Sequence, residues 1–266
     1  MNIAIVTKQN MKNSVARNGI VARIKAEPDF CVTECASVDD VCGDFDRIVV
    51  FGGDGTVLET VQKSARSAIP VLGINLGNLG FLTDFEQGAE TADIINALKG
   101  GDIVSRMLLN VNVENGHFHA LNEVVIKSVS AHPIYLDLYI DNEYVDSYHS
   151  DGLIISSPTG STAYSLSAGG PVLSPNVDAV VIIPVCAHSL HSRPLVINSE
   201  SRVDVTLRGQ DQASVTVDGQ TVKDVTAGDS VTVTKSKTKA RFVKCKENKF
   251  YRKLHEKMNA WGTTVR

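Results

Sequence analysis

Arg47-Ile48-Val49-Val50-Phe51-Gly52-Gly53-Asp54-Gly55-Thr56 is the stretch whose reading decides the fold. The uninterrupted apolar run Ile48 to Phe51 suits a central strand, and it breaks into a glycine turn with one carboxylate at its tip. Thr56-Val57-Leu58-Glu59-Thr60-Val61-Gln62 then begins a helix, with Thr56 as the expected cap. Backbone N–H groups at such a helix start can hold phosphate oxygens. Glycine permits the close approach, and the positive end of the helix dipole favours the anion. No lysine closes the loop, which separates it from the G-x-x-x-x-G-K arrangement of P-loop proteins. Asp54 would sit beside the phosphates, to orient or deprotonate a hydroxyl acceptor or to help hold a metal. The plain alternative is a ligand-free tight turn with an exposed Asp.

Outward from this turn, the first hundred residues alternate strand-like and helix-like segments, the signature of a parallel α/β sheet. Strands are expected at Ile3 to Val6, Phe30 to Thr33, Ile48 to Phe51 and Val71 to Ile74, with helices at Ser14 to Ala26 and Val57 to Ala65. The glycine turn then falls at the carboxyl end of a strand, the edge where ligands collect in open α/β sheets. After Ile103 the pattern changes to short alternating runs: Leu109 to Val113, Phe118 to Lys127, Tyr135 to Ile140, Tyr144 to Tyr148, Val203 to Leu207, Ser214 to Val217 and Val231 to Thr234. Turns at Asp141-Asn142-Glu143, Asp218-Gly219 and Gly228-Asp229 make an antiparallel, sandwich-like β domain the natural result. The expected division is an α/β domain over 1–101 and a β-rich domain over 102–241, with a tight boundary near Gly100-Gly101. The C-terminal stretch 242–266 is expected to be a helix packing back on the first domain. Helical spacing holds from Asn248 to Ala260, ahead of Trp261, and its lysines read as solvated.

The chain has 266 residues, enough for two modest domains with buried cores, and 43% hydrophobic with 21% charged residues is ordinary for a globular protein. A formal net charge of -4 gives no reason to expect nucleic acid. No apolar stretch approaches the ~20 residues that span a bilayer, and Met1 to Val6 lacks the basic start of a signal peptide, so a cytoplasmic protein without membrane partners is expected. Cys31, Cys35, Cys42, Cys186 and Cys245 read as reduced thiols, several in the core. A metal site on the first three lacks a nearby histidine and is set aside.

Three further stretches carry chemistry. Gly73-Ile74-Asn75-Leu76-Gly77-Asn78-Leu79-Gly80-Phe81-Leu82-Thr83 is a second glycine-rich turn expected beside the first, with Phe81 either against a base or in the core. Asn122-Glu123 pairs an amide and a carboxylate within the strand run Ala120 to Lys127, where alternation sends them to opposite faces. Either one of them faces a polar site, or Glu123 is exposed and Asn122 is satisfied in a turn. Asp151 to Gly170 runs from a buried strand into a hydroxyl-rich turn and a helix. Thr159, Ser161 and Thr162 can cap that helix and also meet a polar ligand edge, and Tyr164 supplies a flat ring with a polar tip. The arrangement suits a nucleoside; caps and turn formers alone are the rival reading.

Gly52-Gly53-Asp54-Gly55, Gly77-Asn78-Leu79-Gly80-Phe81, Asn122-Glu123 and Asp151 to Gly170 together resemble, in order and spacing, the bacterial NAD kinases (ATP-NAD kinases) over nearly the whole chain. Ala187-His188-Ser189-Leu190 with Arg193-Pro194-Leu195-Val196, and Val217-Asp218-Gly219-Gln220, add to the likeness. The resemblance implies transfer of the γ-phosphoryl group of ATP to the 2′-hydroxyl on the adenosine ribose of NAD, giving NADP. A divalent ion, magnesium by expectation, would assist without a fixed protein site. It implies Asp54 as the catalytic group, Gly52, Gly53 and Gly55 as the phosphate loop, Asn122, Thr162, Ala163 and Tyr164 around adenine and ribose, and Thr159 among the NAD-binding residues. Glu123 would join Asp54 near the ribose hydroxyls, with Gly55 and Phe81 close by. Asp151 and Ala187 belong toward the nicotinamide half, and His149, Ser167 and Asp218 to the same NAD site. It further implies a homodimer or homotetramer.

The chain departs from the family pattern at three places. His149 stands where many relatives carry Arg, a position linked to the choice between oxidised and reduced dinucleotide. Leu76 replaces a frequent Arg, with consequences for the phosphate donor unless the side chain points elsewhere, and Ala187 replaces a frequent Pro. Two other functions fit parts of the chain. A lipid kinase of the diacylglycerol or sphingosine type shares the first motif, but the basic amphipathic helix for a membrane surface is missing. A non-catalytic dinucleotide sensor would keep NAD binding, yet Asp54 and its glycines are intact.

Overall fold

The computed structural model describes residues 1–41, 43–65, 67–77, 80–244 and 250–263, the last four by backbone alone. The chain divides into two compact units, one of Met1–Ser105 together with the chain from Ala240 onward, the other of Arg106–Lys239.

In chain order the first unit contains β1 (Asn2–Thr7), α1 (Val15–Ala26), β2 (Cys31–Glu34), β3 (Arg47–Phe51), α2 (Asp54–Ser64), β4 (Val71–Asn75), the two-residue β5 (Phe85–Glu86) and α3 (Thr91–Gly100). Its strands pair in parallel in the order β4-β3-β1-β2, with Ile5 opposite Val49 and Phe51 opposite Ile74. β3 is therefore central, and Ile48 to Phe51 are fully buried, as an apolar run without alternation requires. Ile20, Val21 and Ile24 of α1 and Ile94, Ala97 and Leu98 of α3 pack with Ile3, Ile5, Val49 and Leu72 in one core. α3 was not foreseen. Ser14 caps α1, accepting the Arg17 N–H. α2 begins at Asp54, earlier than expected, with Gly53 as its cap. The Gly53 carbonyl already accepts the N–H groups of Thr56 and Val57, so Thr56 lies inside the first turn and is not the cap.

The second unit is built from β6 (Asp102–Val113), β7 (Gly116–Ala120), β8 (Glu123–Ser128), β9 (Ile134–Ile140), β10 (Glu143–Ser150), β11 (Gly152–Ser156), α4 (Tyr164–Ser167), β12 (Ala179–Val185), β13 (Leu195–Asn198), β14 (Val203–Arg208), β15 (Gln212–Val217), β16 (Gln220–Thr226) and β17 (Ser230–Lys244). One antiparallel sheet runs β13-β12-β11-β8-β15-β16; a second path runs β10-β9-β14-β17, with β6 pairing β17 and β7. Leu136, Leu138, Val203, Val205 and Leu207 from the second path meet Val124, Ile126, Leu153, Ile155 and Val215 from the first in a single core. These residues recur at every second position, so each sheet turns one apolar face inward. Asp141 and Asn142 have φ of 53° and 68°, and Asp218 and Gly219 46° and 82°, the left-handed pairs that close tight two-residue hairpins. The expected run Phe118 to Lys127 is two strands, broken at Leu121-Asn122.

From Ala240 onward β17 belongs to the first unit, where Phe242 pairs in parallel with Val71 of β4, and α5 (Phe250–Thr263) follows in the same unit. Residues 242–244, expected within the helix, are strand because Phe242 and Val243 are buried apolar positions beside β4. The Trp261 side chain, Cys42 and Cys245 lie outside the described residues. Of the described cysteines, Cys35 is buried and Cys31 and Cys186 are exposed.

Candidate active site

In the first unit, Asp54 opens α2 and its carboxylate is held from across the sheet edge. Oδ2 accepts the Phe81 N–H at 2.8 Å and Oδ1 the Leu82 N–H at 3.0 Å. The two glycine stretches therefore meet, and Gly80 makes this possible: a Cβ there would lie 2.3 Å from Asp54 Oδ1. A Cβ on Gly53 or Gly55 would meet nothing within 4 Å, leaving the turn open for close approach of a ligand. Gly52 has another task. It is buried, and a Cβ would lie 2.6 Å from Thr56 Oγ1, so its missing side chain serves packing of α2 and not the open side of the loop. Leu76 packs against the apolar core, the alternative in which its side chain points elsewhere. Asn78 and Leu79 lie outside the described residues.

α5 supplies groups that sequence reasoning missed. Lys257 Nζ lies 3.8 Å from Asp54 Oδ2 and 4.1 Å from the centroid of the Phe81 ring, which also neighbours Phe250 at 6.5 Å. Lys253, one turn earlier, is buried, donates to the Thr83 carbonyl and stands 3.7 Å from Asp84. Desolvation, with Lys244 adding repulsion, lowers its pKa. The expectation that these lysines are merely solvated is corrected; their i, i+4 spacing was the available signal.

In the second unit, the bend at Leu121-Asn122 is organised by Asp218. Its Oδ2 accepts the Leu121 N–H at 2.8 Å, and its Oδ1 those of Asn122 at 2.8 Å and Glu123 at 3.1 Å. The Asp218 N–H returns to the Glu123 carbonyl at 3.0 Å. The Ser157 hydroxyl donates to the Leu121 carbonyl and that of Ser156 to the Asn122 carbonyl. Gly160 packs so tightly that a Cβ would lie 2.2 Å from the same Asn122 oxygen. Asn122 is thus set in a turn, as one of the two readings expected, while Glu123, instead of being exposed, is 6% accessible with Oε2 unpartnered. Burial first, then the charge of Asp218, push the Glu123 pKa up to about 8, so near neutral pH it is an uncharged acid.

A protonated buried carboxyl keeps in the folded state a proton that the unfolded chain, titrating near 4.5, has lost. The stability from this group is therefore fully present below about pH 4.5 and is lost as pH rises through about 8, at roughly 1.4 kcal/mol per pH unit. Urea unfolding at pH 5 and pH 8 should show the wild type losing stability and Glu123→Gln losing much less. An equal decline in both proteins would remove Glu123 as the cause.

The hydroxyl-rich turn is not a set of helix caps. Ser161 donates to the Pro158 carbonyl at 2.7 Å and accepts the Leu173 N–H at 3.0 Å, while Thr162 donates to the Thr159 carbonyl at 3.3 Å. The helix that follows, α4, has four residues and no side-chain cap, so the serines and threonines brace the turn itself. Thr159, Thr162 and Ala163 are half-buried there, and Tyr164 and Ser167 exposed. His149 on β10 stacks on Tyr135 at 4.3 Å and meets the His188 ring edge-on at 4.5 Å, while the His188 N–H donates to its carbonyl. Asp151 donates its N–H to the Val185 carbonyl, and Ala187 lines a cavity of about 420 Å³ with Ala168, Gly169, Leu190 and Arg193. Among the described residues no three His, Cys, Asp or Glu side chains are grouped to hold a metal ion, and no helix is long and apolar enough to cross a membrane.

A parallel α/β sheet whose edge carries an open glycine turn and a held carboxylate, followed in the chain by an antiparallel β unit, defines a phosphotransferase outside the P-loop class. Residues 3–103 match the ATP-NAD kinase N-terminal domain and residues 121–245 the ATP-NAD kinase C-terminal domain. The chain is 39% identical over 240 residues to an NAD kinase of Desulforamulus reducens, covering 87% of this chain and 83% of that protein. Among solved structures it is similar to yeast NADH kinase complexed with NADH (TM-score 0.87, 26% identity, 100% of this chain and 89% of that one). It is also similar to an NAD kinase from Archaeoglobus fulgidus in complex with ATP (TM-score 0.82, 29% identity, 98% and 99%). The chain belongs to the NAD kinase family.

Proposed function

We propose that this NAD kinase moves the γ-phosphoryl group of ATP to the 2′-hydroxyl on the adenosine ribose of NAD, with Asp54 as the group that takes the hydroxyl proton. The observation that carries the assignment is the carboxylate itself, fixed by two N–H donors beside a glycine turn whose Gly53 and Gly55 are open to a ligand. Holding both oxygens leaves the carboxylate one orientation, so the acceptor hydroxyl meets a positioned base, and its proton leaves as the new O–P bond makes it acidic. Backbone N–H groups at the start of α2 suit the charge on the transferring phosphoryl group. A divalent ion, magnesium by expectation, would arrive on the ATP phosphates and offset their charge, with Asp54 the carboxylate of this unit placed to join it.

Recognition of NAD we assign to the second unit: Asn122, Thr159, Thr162, Ala163 and Tyr164 for the adenosine half, and His149, Asp151 and Ala187 toward nicotinamide. Glu123, as a neutral acid, can both donate to and accept from a ribose hydroxyl. Ser167 is a weaker member of this set, and Asp218, occupied by three backbone N–H groups, serves by shaping the Asn122-Glu123 turn. Purified protein given magnesium and ATP should form NADP from NAD, and a parallel reaction with NADH reads out what His149 does to selectivity. Absence of both products with NAD still bound would favour a dinucleotide sensor.

A further inference from the structure

We infer that Lys257 of α5 is a further catalytic residue, the protein's own cation for the transferring phosphoryl group; the inference rests on the reading of Asp54 given above. Phosphoryl transfer at Asp54 brings a highly charged anion against a carboxylate, and two anions in contact repel unless a cation lies beside both. The glycine turn brings none: from Gly52 to Thr56 its one charged side chain is Asp54, and Leu76 of the second stretch is apolar and packs against the core. Lys257 brings a cation to the place. Its ammonium lies 3.8 Å from Asp54 Oδ2, outside direct hydrogen-bond distance, and 4.1 Å from the Phe81 ring centroid. It is held by charge and by the ring face, and all three of its protons stay available to a phosphate oxygen. Its side chain is only 18% exposed, so solvent screens it less than a surface lysine.

The position is built. Lys253, four residues back on the same helix face, is buried and bonded to the Thr83 carbonyl just beyond Leu82, the residue whose N–H holds Asp54 Oδ1. The loop that fixes the base and the helix that carries the cation are thus tied together one turn apart. A cation placed before reaction begins costs no reorganisation as charge develops on the phosphoryl oxygens.

The test compares wild type, Lys257→Met, Lys257→Arg and Asp54→Asn in NADP formation at varied ATP, with thermal unfolding of each. Lys257→Met should lower kcat roughly hundred- to thousandfold with KM for NAD and Tm unchanged, and Lys257→Arg should recover most of the loss. Wild-type kcat in Lys257→Met while Asp54→Asn is inactive would overturn the inference and leave the reading of Asp54 standing. Equal losses in the Met and Arg variants, or a loss matched by a lowered Tm, would make Lys257 a packing residue and also overturn it. Full activity in Asp54→Asn would remove the underlying reading itself.

Discussion

Asp54→Asn is expected to lower kcat by about 10²–10⁴-fold, the range that loss of a positioned general base produces, while the protein still folds. The substitution keeps the shape of the side chain but removes the proton acceptor. Its single oxygen can serve either the Phe81 or the Leu82 N–H, and the amide group then faces the other donor. One lost hydrogen bond costs about 1 kcal/mol, so a small fall in Tm should accompany the large fall in rate. NAD affinity, assigned to the second unit, should change little. Steady-state kinetics with an NAD titration separate these effects, and a kcat within tenfold of wild type would exclude Asp54 as the base.

Asp218→Ala should be the most damaging change in the second unit. Its carboxylate accepts three successive N–H groups, from Leu121, Asn122 and Glu123, and no other group on that turn is shown to receive them. Bonds to a charged acceptor contribute roughly 1.5–3 kcal/mol each. Because Asp218 is only half-buried and water can replace part of the loss, a net destabilisation of about 3 kcal/mol is expected. The turn would then no longer present Asn122 in a set orientation, so KM for NAD should rise at least about tenfold with a smaller change in kcat. Asp218→Asn, which keeps one acceptor oxygen, should fall between. Urea midpoints and NAD titrations read both effects; an Asp218→Ala protein as stable as wild type would mean that the turn forms without its carboxylate.

Glu123 and Lys257 show where reading the chain alone reached its limit. Glu123 was visible as a carboxylate in an apolar run, but its protonation follows from burial together with Asp218, 95 residues away, and only the folded chain sets that environment. Lys257 was visible as a lysine on a helix, and its i, i+4 spacing from Lys253 marked a shared face without saying what that face meets. Its partner Asp54 is brought to it by the return of the chain through β17 and α5. The same limit explains Thr56 and the hydroxyl-rich turn. A cap or a brace depends on which backbone group bonds first, and Gly53 and the carbonyls of Pro158 and Thr159 took those places.

The sequence by itself determined the two architectures and the position of the glycine turn. Apolar periodicity and turn residues are local signals, and the core can bury them in few ways. It also singled out Asp54, the one carboxylate in a glycine turn at the carboxyl end of a strand, the edge where ligands collect in open α/β sheets. Only the tertiary structure decided what surrounds that carboxylate: the Phe81 and Leu82 donors, the cation from α5 and, in the other unit, the Asp218 brace. These are contacts between residues distant in sequence, and their electrostatic weight comes from burial that no local pattern encodes.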